Sequence, residues 1–121
     1  MNFRKILTKD GTEVIMGKNK EQNEALVKEF IGKSNFILHT ATPGSPFCVI
    51  TKKPKEGDKK EIAVYCARYS QDWRDNKKDV KVSVFTGKDV YKLKSMPTGT
   101  FGVKKSKTMV VKKDSILKLE I

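Results

Sequence analysis

The sequence predicts an α+β domain: a mainly antiparallel sheet with two helices in a single compact unit, residues 1–121. Three observations carry this. Strand-like apolar runs outnumber helical ones and are separated by turn residues. Two stretches show a 3.6-residue apolar period behind residues that cap helices. The length of 121 residues suits one domain and leaves little room for a second.

Ile6-Leu7 and Val14-Ile15-Met16 are strand-like, and Asp10-Gly11 between them is a strong turn signal, so Phe3 to Gly17 reads as a β-hairpin. Asn19 then reads as a helix N-cap, because its side chain can accept a free backbone N–H. Gln22, three residues on, can reach back to complete a capping box. The helix that follows carries Leu26 and Phe30 on one face with Val27 and Ile31 beside them, and Gly32 suits its C′ position. Phe36-Ile37-Leu38-His39 reads as a buried strand, Thr42 to Pro46 as a loop, and Phe47-Cys48-Val49-Ile50 as a second apolar segment. Lys52 to Lys60 reads as a surface loop.

Asp58 with Glu61 reads as a second capping box. Behind it Ile62, Tyr65, Cys66, Tyr69 and Trp73 fall on one helical face. From Asp79 onward the pattern turns to strands. Val80, Val82 and Val84 alternate with polar residues, Val90-Tyr91 follows a turn at Gly87, and Met96 to Gly99 is another turn. Met109-Val110-Val111 and Ile116 to Leu119 read as two closing strands.

Lys plus Arg number 26 against 14 Asp plus Glu, a formal net charge of +12. The hydrophobic share of 37% supports a modest core, and no apolar run reaches the ~18 residues of a membrane-spanning helix. The N-terminus has no apolar stretch of signal-peptide length, so the expected location is the cytoplasm, with no membrane partner. Cys48 and Cys66 are too few for a disulfide scaffold and lack metal-ligand spacing. The surplus of positive charge implies an anionic partner, nucleic acid first among them, against the alternative that the charge serves only solubility. Only Arg4, Arg68 and Arg74 are arginines. Lysine suits phosphate as a point charge, whereas guanine edges in a duplex call for arginine, so backbone or shape recognition is expected.

His39 is the lone histidine and ends an apolar strand before a loop. It reads either as a half-buried structural residue or as a contact to phosphate or ribose. Without partners it makes no metal site, and no cofactor is expected. Cys48, nine residues later, reads as a core residue or, paired with His39, as a thiolate nucleophile or sulfur carrier. Cys66 belongs to the core. Pro43-Gly44-Ser45-Pro46 is a tight loop able to offer backbone N–H groups to a phosphate. Gly17-Lys18-Asn19, before the first helix, is a second anion candidate or only a capped helix. Lys94 and the cluster Lys104, Lys105 and Lys107 are the basic groups expected to help. Tyr65, Tyr69 and Trp73 read as core residues, with base stacking as the alternative.

Four segments carry a resemblance. Gly17 to Glu24, with its Gln22-Asn23 pair, resembles the glycine, polar, Gln-Asn signature that opens the first helix of the NFACT-R domain. Asn35 to His39 is similar to that family's apolar-triplet-His motif. Gly44 to Ile50 is similar to its Gly-small-Pro segment, and Lys94 to Phe101 to its Lys-x-x-Pro-Thr/Ser-Gly-x-aromatic motif. NFACT-R is the predicted RNA-binding domain of ribosome quality-control proteins related to NEMF and bacterial RqcH. Ala41 and Pro43 depart from the acidic residue and second histidine usual in the multidomain members, and the chain resembles a stand-alone version.

The expected function is therefore a non-catalytic RNA-binding module for tRNA or rRNA. Its expected contacts are Lys18, Asn19, Asn23, His39, Gly44, Ser45, Lys94, Lys104, Lys105 and Lys107. Asn19 and Asn23 have a structural alternative as caps. tRNA-modification or ribosome-associated proteins are the further partners that the resemblance implies. The alternatives are a sulfur-transfer role in tRNA thiolation through Cys48, and a protein-interaction adaptor.

Overall fold

A computed structural model describes residues 1–119; Glu120 and Ile121, the end of the expected 1–121 unit, lie outside the described residues. Strands β1 (Arg4–Leu7) and β2 (Glu13–Met16) pair as the expected hairpin. At its turn Gly11 takes φ +86°, a conformation that a Cβ disfavours. Helix α1 (Lys20–Phe30) starts at Asn19, whose side chain accepts the Gln22 N–H at 2.8 Å. Gln22 returns its own side chain to the Lys18 N–H at 3.0 Å. The box thus closes one residue earlier than the spacing predicts.

Strands β3 (Phe36–Thr40), β4 (Cys48–Ile50) and β5 (Val80–Thr86) follow the expected segments. Strands β6 (Val90–Tyr91), β7 (Gly102–Val103) and β8 (Lys107–Val111) complete the set. The large sheet has the order β1-β2-β4-β3-β5-β8 with every pair antiparallel, and β6 with β7 forms a small second sheet. Strand β7 is too short to leave an alternating pattern in the sequence.

The described residues hold four α-helices where the sequence predicts two. The face from Ile62 to Trp73 is broken into α2 (Asp58–Arg68) and α3 (Gln71–Asn76). Ser70 makes the break. Its hydroxyl donates to Ala67 O at 2.6 Å and accepts the Trp73 N–H at 3.1 Å, so side-chain bonding competes with helix propagation. The expected Asp58–Glu61 capping box is absent, because both carboxylates are used outside the helix, chiefly on the β1–β2 turn. Asp58 accepts the Thr12 hydroxyl and the Lys55 N–H, and Glu61 accepts the Lys9 N–H, which docks the β1–β2 turn on α2. Gly57, in a left-handed conformation, takes the cap position, so the Lys52–Lys60 loop ends there. The expected strand at Ile116–Leu119 is instead mostly helix α4 (Lys113–Lys118). Asp79 accepts the Lys113 N–H at 2.8 Å, and Ile116 is buried in the core shared with α2.

Strand alternation sorts the core into two layers. Met16, Leu38, Cys48 and Val84 face α2, α3 and α4, where Ile62, Cys66, Trp73 and Ile116 meet them. Ile37, Val49 and Phe85 face the other way, against Leu26 and Val27 of α1 and Val90 of β6. Among the described residues no helix is long and apolar enough to cross a membrane.

Candidate nucleic-acid interface

A cleft of about 740 Å³ opens at the end of the sheet where β2 and β3 finish and β1, β4 and β5 begin. That volume lies within the range of ligand sites. Its floor is built by hydrogen bonds that absorb several of the predicted site residues. Asn23 is buried, and its Oδ1 accepts the Phe47 N–H at 3.1 Å while Nδ2 donates to Ser45 O at 3.5 Å. An added Cβ at Gly17 would run into the Asn23 amide, so glycine is required there by space. Ser45 is also buried; its Oγ accepts the Thr40 N–H at 3.0 Å and donates to Pro46 O at 3.2 Å. Gly44 takes φ +96°, and its carbonyl accepts the Gln71 N–H at 2.8 Å. Asn19, Asn23, Gly44 and Ser45 therefore shape the 40–47 loop and the start of α1.

His39 lies half-buried on the cleft wall. Its ring stacks on Phe47 with centroids 4.1 Å apart, and Phe101 meets Phe47 edge-on at 5.6 Å. Burial lowers the imidazole pKa to about 4, outweighing the Thr40 backbone hydrogen bond that favours the charged ring. At neutral pH the His39 ring of the open cleft is thus an uncharged polar plate.

The opposite wall, Thr98 to Phe101, is bolted down by Lys92. Its ammonium donates to Glu24 Oε1 at 2.9 Å, Pro97 O at 2.7 Å and Thr100 O at 2.8 Å, and lies 4.8 Å from the Phe101 ring centroid. Glu24 also accepts the Gly99 N–H at 2.7 Å and pairs with Lys28 at 3.0 Å. Burial alone would raise the Glu24 carboxyl; the bonds from Lys92, the Gly99 N–H and Lys28 overcome it and bring the pKa down to about 2. Nothing in the sequence sets Lys92 apart from the other lysines, and only the fold reveals it as a structural bolt.

Arg4, Lys18, Lys20 and Arg74 line the cleft, and no Asp or Glu does. Two of the chain's three arginines therefore sit at this one place. Tyr69 is half-buried and packs against the core as predicted, but its ring also meets the Arg4 guanidinium, 3.9 Å from its centroid, whereas Trp73 is buried. Sequence reasoning brought Lys18, Asn19, Asn23, His39, Gly44 and Ser45 to this cleft. It did not bring Arg4, Lys20 or Arg74 to the cleft, and it offered Tyr69 only as an alternative stacking residue. The scarcity of arginine was the available signal, and Phe101 was already visible as the aromatic closing its motif. Lys94, Lys104, Lys105 and Lys107 are exposed and lie beyond the lining residues, although Val103 and Ser106 beside them are part of the wall.

Cys48 and Cys66, 18 positions apart, are brought together in the core; both are fully buried, and Cys66 Sγ donates to Pro46 O at 3.8 Å. Burial and the Cys66 thiol push the Cys48 pKa well up, so Cys48 is protonated and closed to solvent, the opposite of a reactive thiolate. Among the described residues no group of three or more His, Cys, Asp or Glu could hold a metal ion.

A family model described as the NFACT protein RNA binding domain matches residues 1–105. The archaeal Rqc2 homolog aRqcH of Methanocaldococcus jannaschii is 32% identical over 68 residues, which is 54% of this chain and 10% of that protein. The solved C-terminal part of the fibronectin/fibrinogen-binding protein from Streptococcus suis aligns with a TM-score of 0.82 at 25% identity, covering 100% of this chain and 50% of that one. The chain thus spans a tenth of the archaeal relative and half of the streptococcal structure.

Proposed function

The chain belongs to the NFACT RNA-binding domain family, and from that premise we propose that residues 1–121 act as one non-catalytic domain that grips tRNA or rRNA through the cleft and its basic rim. The observation that carries this is the sign of the cleft: Arg4, Lys18, Lys20 and Arg74 with no carboxylate among the lining residues. Fourteen acids are present in the chain, and their absence from this one concavity leaves its field uncompensated. Lys94, Lys104, Lys105 and Lys107 extend the cationic surface around it. Association with the ribosome or with tRNA-modification proteins, and a place in the cytoplasm, are part of the same reading.

The test is a salt titration of binding to a structured RNA. Log affinity falls linearly with log salt, with a slope of about −0.7 to −0.9 per phosphate neutralised. Lys18→Ala, Arg74→Ala and Lys94→Ala each weaken binding and flatten the slope by about one contact, with an unchanged melting temperature. A flat titration, or no retention of RNA at ~50 mM salt, rejects the function.

A further inference from the structure

The cleft differs from the rest of the basic surface in two ways. Elsewhere the cations are overwhelmingly lysine, whereas here two arginines stand among the four. Elsewhere a single lysine lies over a single ring, as Lys59 over Phe36 at 3.6 Å, but this cleft gathers several rings. His39 and Phe101 are both braced on the buried Phe47, at 4.1 and 5.6 Å, and Tyr69 lies under Arg4 at 3.9 Å. A duplex presents phosphates and ribose along a convex surface and keeps its bases stacked inside. It cannot bring a base into a concavity of about 740 Å³. A nucleotide outside a helix can, and every base has a π-face for a ring to meet.

The rings are held before any ligand arrives. Phe101 is fixed by the Lys92–Glu24 bolt over the 97–100 turn. His39 is fixed by its stack and by the Ser45–Thr40 bond at the end of its strand. A prearranged stacking surface loses little entropy on binding. One ring nitrogen of His39 is taken by the Thr40 backbone, which leaves the other for a base edge, and the planar guanidinium groups suit a phosphate held through two N–H bonds.

We propose that the cleft receives one unpaired nucleotide of the bound RNA, its base against His39 and Phe101 and its phosphate held by Arg4 and Arg74. This rests on the RNA-binding function above and specifies which part of the RNA enters the site.

The experiment compares two RNA hairpins, each closed by a non-nucleotide linker and carrying one 2-aminopurine that is paired with uridine in one and bulged in the other, each titrated with the full chain by fluorescence and by filter binding. The bulged hairpin binds about tenfold more tightly than the paired one, the scale of one base–aromatic stack, and its emission is quenched. Phe101→Leu, which keeps apolar packing but removes the ring, and His39→Ala both bring the two affinities within about twofold. The melting temperature of each variant and the salt slope of its binding to the paired hairpin, which the cationic groups set, stay at the wild-type values and show that the fold and the cationic rim persist. Equal affinities for the two hairpins, or a preference and quench that survive in both variants, overturn the unpaired-nucleotide assignment while RNA binding stands. Failure of the wild type to bind either hairpin overturns the RNA-binding reading and this inference with it.

Discussion

Replacing Glu24 with Gln removes the charge at the centre of the bolt that holds the 97–101 wall. The Glu24 side chain is 17% exposed, as is that of Lys92. A carboxyl held at about 2 in place of its ordinary 4.5 is worth at most about 3 kcal/mol. Solvent reaches one side of the site, and screening reduces the working figure to about 1–2 kcal/mol. For a domain of this size that lowers the melting temperature by about 3–10 °C. The sign with pH follows from the depressed pKa. The folded carboxyl stays ionised where the unfolded one begins to protonate, so its contribution is complete above about pH 4.5 and is lost as the pH falls toward 2. Thermal unfolding followed by circular dichroism at pH 7, 4 and 2.5 compares wild type with Glu24→Gln. The gap is widest at pH 7 and shrinks on acidification. A variant that melts with the wild type at pH 7, or a gap that does not change with pH, refutes the bolt.

His39 is the only histidine, so its ring signals in a proton NMR titration have no competitor; the midpoint is expected near 4, and one near 6.5 would show an open, solvated ring. Because the unfolded chain takes up that proton first, stability falls as the pH drops from about 6.5 to about 4, and His39→Gln lacks this part of the acid loss. Gly17→Ala drives a methyl into the Asn23 amide and breaks its bond to the Phe47 N–H; a loss of about 1–3 kcal/mol in urea unfolding is expected, and an unchanged midpoint would show that the loop closes by other means.

Local signals in the chain are read correctly where the energy is local. The Asp10-Gly11 turn, the Asn19 cap and the alternation of Val80, Val82 and Val84 each concern residues within a few positions of one another. The misreadings share a cause. Asp58 and Glu61 have the spacing of a capping box, but the hairpin turn 46 to 52 residues away offers their carboxylates better donors. Ile116 to Leu119 has strand-like composition, but an N–H accepted by Asp79 and a buried Ile116 make helix the better packed choice. The continuous face from Ile62 to Trp73 hides a break, because apolar period carries no record of the Ser70 hydroxyl that ends one helix and begins the next.

The amino-acid sequence by itself determined the fold class, the excess of positive charge and the motif positions around Lys18, Asn23, His39, Gly44 and Phe101, because composition and short-range spacing are properties of the chain alone. Only the tertiary structure decided which cations share a cavity, that Lys92 is bound to Glu24 and not free, that His39 is uncharged, and that both thiols are sealed in the core. Those outcomes depend on distances and desolvation between residues far apart in the chain, and neither quantity exists until the sheet and its two helical layers have closed.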